Sequence, residues 1–221
     1  MVSLYVDALV FTGSNEEMFA EFKALMKREF DMTDLGKMKF FLGVEVVQND
    51  EGIYLSQNAL EILERFCLEN ANSVRNLMVP SIKLMKNEDG KQVDMTQYKQ
   101  MVCSFMYLSV NRSDLMFVVS LVSRYMERPI SLHMQAIKKV LRNVKGSVDL
   151  GICYKRGVAS DEMLMAFSDS DYVGDQDDRR STFGYVFMLN GGAVGWSLKK
   201  QPVVSLSTIE AEFISAAHCA C

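Results

Sequence analysis

The hydrophobic period of this chain changes near residue 147. Before that point most apolar side chains recur at helical spacing, and after it they alternate. One layer of one kind of element cannot satisfy both periods, so the chain reads as α/β (mixed α+β) with a boundary at the change. The two predicted parts are residues 1–146 and residues 147–221.

In the first part, Val2 to Phe11 is an apolar run interrupted by Asp7 and followed by Gly13-Ser14-Asn15. It predicts a buried strand, a turn and a helix start, with Ser14 or Asn15 as the cap and Glu16 and Glu17 in the first turn. Phe19, Phe22, Leu25, Met26 and Phe30 then keep helical spacing. Lys39 to Gln48 reads as a strand, with Gly52 to Ser56 as its hairpin partner. Gln57 to Phe66 reads as a short helix, and Val74 to Gly90 as an irregular connector. Thr96 to Met126 predicts two helices broken near Asn111-Arg112-Ser113-Asp114, and Ser131 opens another that ends near Gly146.

In the second part, Leu150–Tyr154, Leu164–Ser168, Gly184–Leu189, Ala193–Ser197 and Val203–Leu206 read as short strands of an antiparallel meander. Asn190-Gly191-Gly192 is a strong hairpin signal, because residues that tolerate positive φ match the twist of the flanking strands. Ser207 with Glu210 has capping-box spacing, which predicts a helix from there to Cys221.

The net charge is −4, with a sequence pI near 5.3. A duplex binder gains most of its affinity from phosphate neutralisation, so this balance argues against an autonomous nucleic-acid binder. Local basic groups remain: Lys138, Lys139, Arg142 and Lys145, then Lys199 and Lys200, and the pair Arg179, Arg180. Each reads first as a solvated helix face or turn. The five cysteines are scattered without a C-x-x-C, which suits reduced thiols, and His218, Cys219 and Cys221 fit no standard zinc spacing. The N-terminus carries no charged region or cleavage site of a signal peptide, and no apolar run is long enough for a membrane span. An intracellular protein of cytoplasm or nucleus is expected, without a membrane partner.

Two carboxylate constellations carry chemistry. Asp7 interrupts an apolar run, where a carboxylate is costly unless it meets a cation or a partner. The same residue could stand in a tight turn, and spacing does not choose between the two. In Phe167-Ser168-Asp169-Ser170-Asp171, alternation puts Asp169 and Asp171 on one face of a strand. Paired carboxylates suit oxygen-ligated Mg²⁺, and they also suit a solvated edge.

LYVDALVFTGSNEE closely resembles the polymerase motif of copia-type LTR retrotransposon Pol polyproteins, in which two adjacent aspartates follow Tyr-Val at a hairpin tip. TDLGKMKFFLGVEV is similar to the family's strand segment whose Phe-Leu-Gly triplet (Phe41, Leu42 and Gly43 here) helps position the primer end. YLSQNALEILERF and the long stretch YKQMVCSFMYLSVNRSDLMFVVSLVSRYMERPISLHMQAIKKVLRNVKGSVDLGI resemble the family's following helix and connecting segment. The first is shortened between Gln57 and Leu60. In the second, Cys103 and Ser113 stand where the family has Gly and Pro. His133 falls at a matching position, where packing or capping explains it. FSDSDYVGDQDDRRSTFGYVF with AVGWSLKKQPVVSLSTIEAEFISAA resembles the opening of the family's RNase H domain.

The resemblance implies a partial reverse-transcriptase palm and thumb with connecting helices, then a truncated RNase H-like fold. It makes Asp7 the first polymerase aspartate, with Ala8 in place of the second, while the family's other metal-binding aspartate lies upstream of this motif. It makes Asp169 the first RNase H aspartate and Glu212 the helix glutamate, and Glu210 is explained by the cap. It implies Mg²⁺ or Mn²⁺ at Asp7, Asp169 and Glu212 with incomplete sites. The implied partners are an RNA–DNA hybrid or primer–template and the rest of the Pol polyprotein. The resulting expectation is a catalytically inactive piece of a reverse transcriptase and RNase H. The alternatives are a segment of a longer working polymerase and hybrid nuclease, and a non-catalytic primer–template binding module.

Overall fold

A computed structural model describes residues 2–6, 8–13, 15–77, 84–86, 89–156 and 164–221. It divides into two compact units, residues 1–38 and 39–221.

In the first unit, Val2–Tyr5 (β1) and Ala8–Phe11 (β2) form an antiparallel hairpin closed by the pair Tyr5 and Ala8. The sequence suggested a single buried strand here. The chain instead turns at Val6, whose φ is 49°, and β1 is exposed along its length. Glu16–Glu29 (α1) follows, capped by the Asn15 side chain, which accepts from the amides of Glu17 and Met18. Phe11 meets Phe19 and Phe22 of α1 at centroid distances of 5.3 and 5.2 Å.

The second unit opens with Phe40–Phe41 (β3), Val44–Gln48 (β4) and Gly52–Gln57 (β5). The run from Lys39 to Gln48 is therefore not one strand. Leu42 and Gly43 take φ of 49° and 79°, and two successive positive values fold the chain back in a tight hairpin. Ala59–Arg65 (α2) is capped by Asn58. Met95–Leu108 (α3), a short 3₁₀ turn over Ser113–Leu115, Met116–Ser123 (α4) and Ser131–Lys145 (α5) match the periodicity of the sequence. The core lies among them: Leu63, Tyr98, Met101, Val102, Phe105, Leu108, Val118, Ile137 and Leu141 are buried together.

Ile152–Lys155 (β6) was expected at the head of the meander. It pairs instead with β5, which makes it the fourth strand of the β3-β4-β5-β6 sheet. Met165–Ser170 (β7), Thr182–Leu189 (β8) and Gly192–Lys200 (β9) form a separate three-stranded antiparallel sheet with β8 central. Asn190 and Gly191, with φ of 52° and 78°, make its hairpin turn. Val203–Leu206 is not a strand. Pro202 has no amide to donate, and the polar neighbours Gln201 and Ser205 are buried while Val203, Val204 and Leu206 point outward. Ser205 bonds Gln201, whose amide reaches the carbonyl of Ala211 at 2.9 Å. Thr208–Ala220 (α6) is capped by the Ser207 hydroxyl, which accepts from the Glu210 amide at 3.1 Å. The Glu210 carboxylate overshoots the cap residue and takes the Leu206 amide at 2.7 Å.

Candidate functional site

Asp7 lies outside the described residues. Its neighbour Ala8 is the first residue of β2 and sits opposite Tyr5, next to the hairpin turn. A methyl group therefore occupies the position where the motif would offer a second carboxylate.

Asp169 is exposed on β7, the edge strand of its sheet. It pairs with Gly184, while the next residue, Ser170, pairs with Phe183. Phe183 packs against His218 of α6 at a centroid distance of 4.6 Å. Cross-strand partners share a face, so the Asp169 side chain lies on the face turned away from that contact. Its backbone nevertheless touches the helix, because the Ser215 hydroxyl donates to the Asp169 carbonyl at 3.0 Å. Glu212 is exposed on α6 beside the buried Ala211, three residues before Ser215. The structure thus packs together the two elements that carry Asp169 and Glu212. One ion between the two side chains would have to be reached round the edge of β7.

Asp171 does not pair with Asp169. β7 ends at Ser170, and the Asp171 carboxylate accepts the Thr182 amide at 2.5 Å. Burial pushes this carboxyl above its usual range, partly offset by the Thr182 amide and the Arg124 charge. On the open side of the sheet, Asp169 lines a cavity of about 850 Å³ together with Arg112, Asp114, Phe117, Phe167 and Trp196. The Arg112 guanidinium is already committed to Asp114 and to Ser147 at 2.8–3.0 Å. Among the described residues no three His, Cys, Asp or Glu side chains converge as a metal site. These residues do not supply a two-metal ligand set.

Several residues with functional appearance are used by the fold. His133 is buried, stacks on Tyr125 at 3.9 Å and accepts the Ile130 amide at Nδ1. Arg142 and Lys145 hold the loop that follows α2 through the carbonyls of Asn72 and Glu69. Lys200 meets both Asp175 and Asp178. Asp175 was not singled out by the sequence. It is 5% exposed, pairs with Arg124 at 2.8 Å and caps the amides of Asp177 and Asp178. Burial alone would raise its carboxyl. Lys200 and the two amides outweigh that and bring it down to about 2. A crowded acid–base turn such as Asp175–Arg180 was the available signal, but Arg124 is too far along the chain for spacing to reveal it.

The triplet Phe41, Leu42, Gly43 forms the tip of the β3–β4 hairpin, with the Leu42 side chain 52% exposed. The Tyr107 hydroxyl of α3 donates to the Leu42 carbonyl at 3.0 Å.

Residues 1–83 match the model of the family described as reverse transcriptase (RNA-dependent DNA polymerase). Over 96% of its length the chain is 35% identical to the retrovirus-related Pol polyprotein from transposon TNT 1-94 of Nicotiana tabacum. A Pol polyprotein from transposon RE1 of Arabidopsis thaliana is 35% identical over 97% of the chain. The chain belongs to the reverse transcriptase family of Pol polyproteins. It spans 17% and 15% of the length of these two relatives. An uncharacterized mitochondrial protein of Arabidopsis thaliana is 31% identical over 95% of the chain, which covers 87% of that relative. No solved structure matches. Within this Pol segment the reverse-transcriptase match takes in the β1–β2 hairpin and the β3–β4 tip, while Asp169 and Glu212 lie beyond it. None of the helices among the described residues is long and apolar enough to cross a membrane.

Proposed function

We propose that this chain is a catalytically silent segment of a retrotransposon reverse transcriptase, with residues 147–221 derived from its RNase H domain. The observation that carries the reading is Ala8, a methyl beside the hairpin turn where the family's second carboxylate stands. Polymerisation by two divalent ions depends on several carboxylates acting together, so losing one is costly. In this reading Asp7 is the surviving polymerase acid, and Asp169 and Glu212 are the surviving RNase H acids, each able to share in weak Mg²⁺ or Mn²⁺ binding. Phe41, Leu42 and Gly43 contact the nucleic acid, a primer–template or an RNA–DNA hybrid, and the rest of the Pol polyprotein is the natural partner.

The test is primer extension on an RNA template with Mg²⁺ or Mn²⁺. The expected outcome is no extension by the chain, and none after Ala8→Asp alone. Extension that is lost on Asp7→Asn would sink the reading. A labelled RNA–DNA hybrid run beside it is expected to stay intact, and cleavage abolished by Asp169→Asn would show a working nuclease instead.

A further inference from the structure

Tyr107 stands at the C-terminal end of α3 and touches both the β3–β4 tip and the end of β5. Its hydroxyl donates to the Leu42 carbonyl at 3.0 Å. Its own carbonyl lies in the last turn of the helix, where it accepts the Val110 amide at 3.4 Å. It also accepts the Gln57 side-chain amide at 3.1 Å. Gln57 is the cross-strand partner of Val44, the residue that follows the tip. One tyrosine therefore ties the tip of the hairpin to the end of β5 beside it.

The fit is tight. A Cβ added to Gly43 would lie 1.4 Å from the Tyr107 hydroxyl and 2.7 Å from the ring carbon that bears it. Leu42 holds a φ of 49°, a left-handed conformation that a leucine rarely adopts without outside restraint. The restraint comes from a firm base, since Phe105 and Leu108 in the same turn of α3 are fully buried. The tip itself stays open, with Leu42 52% exposed, and Phe40 of β3 beside it is 65% exposed. An apolar side chain held out on a strained, externally braced turn, with a second on the strand beside it, is suited to contact and poorly explained by stability.

We propose that Tyr107 is a positioning residue for the nucleic-acid strand received by this tip. It presets Leu42 and Gly43 so that the Leu42 and Phe40 side chains meet the sugar and base edges of a primer strand. The proposal rests on the assignment of Phe41, Leu42 and Gly43 as nucleic-acid contacts.

The test uses the full chain and a fluorescein-labelled DNA primer annealed to an RNA template, titrated at low salt by anisotropy. Tyr107→Phe keeps the ring and loses only the hydroxyl bond. It is expected to weaken duplex binding by about three- to tenfold, the worth of one hydrogen bond. It is also expected to speed hydrogen exchange over residues 41–44 and to leave the melting temperature unchanged. Gly43→Ala, which drives a methyl into the Tyr107 hydroxyl, is expected to weaken binding in the same direction. Unchanged affinity in both variants, with the wild type binding, overturns the role of Tyr107 and leaves the nucleic-acid assignment standing. A loss of affinity matched by a loss of melting temperature makes the residue structural and also overturns the proposal. No saturable binding by the wild type overturns the proposal together with the assignment beneath it.

Discussion

His133 carries a neutral imidazole. Its Nδ1 accepts the Ile130 amide at 3.2 Å, so the proton sits on Nε2, which donates to the Met85 carbonyl at 3.1 Å. Burial lowers its pKa, only partly offset by that carbonyl and by Asp177. A histidine with a depressed folded-state pKa binds fewer protons folded than unfolded. Stability from this residue is therefore fully present above the ordinary value of about 6.5 and is lost as pH falls below it. Urea unfolding is expected to show lower stability at pH 5.5 than at pH 7.5. His133→Gln should flatten that difference, because the amide has no proton to gain. An equal pH dependence in the variant would place the titrating group elsewhere. The same geometry explains why a histidine at a family-matched position reads better as a cap than as a ligand.

At the scale of elements, the end of α4 is joined to the β7–β8–β9 sheet by charge. Arg124, the C-cap of α4, reaches Asp175 and the Thr182 hydroxyl at 2.8 and 2.9 Å, and Lys200 of β9 closes on Asp175 and Asp178. Asp175→Asn keeps a side-chain oxygen for the two amides and removes the charge that faces two cations. The expected loss is about 2–4 kcal/mol, since a cation is left without its buried partner. Chemical unfolding followed by the fluorescence of Trp196, the one tryptophan of the chain, measures it. Trp196 suits the purpose because its indole N–H bonds the Ser109 carbonyl at 3.2 Å, bridging the sheet to the helical layer. The depressed carboxyl also sets the sign with acid. Stability from Asp175 persists above about pH 4 and is lost as pH falls towards 2. A variant as stable as the wild type at pH 7, with the same acid midpoint, would remove the cluster from the account of stability.

Across the whole molecule, burial is uneven. None of the α1 residues is buried, and β1 is exposed throughout, whereas α3 and α5 each bury six side chains. Local stability follows buried apolar contact, so the two units should open at different free energies. Hydrogen exchange read by mass spectrometry is expected to be fast over β1, β2 and α1 and slowest in α3 and α5. Protection of the first unit as strong as that of α3 would contradict the expectation. Exposed apolar residues gather at the other end as well, where Leu206, Ile209 and Phe213 lie on and before α6.

Local rules were enough for the parts of this protein where neighbours in sequence decide the outcome. Helical spacing and caps located α1, α3, α4 and α5, and Asn190-Gly191 located the β8–β9 hairpin, because both depend on a few adjacent residues. Tertiary structure decided the rest. Alternation cannot say which sheet a strand joins, and β6 went to β5 because pairing is a long-range choice. Apolar content could not show that Val203–Leu206 stays irregular, because buried Gln201 and Ser205 set its course through partners on α6 and β7. A leucine at positive φ and a tyrosine 65 residues away look unrelated in sequence. They form one device because packing places the end of α3 under the β3–β4 tip, and contacts between distant residues exist only once the chain has folded.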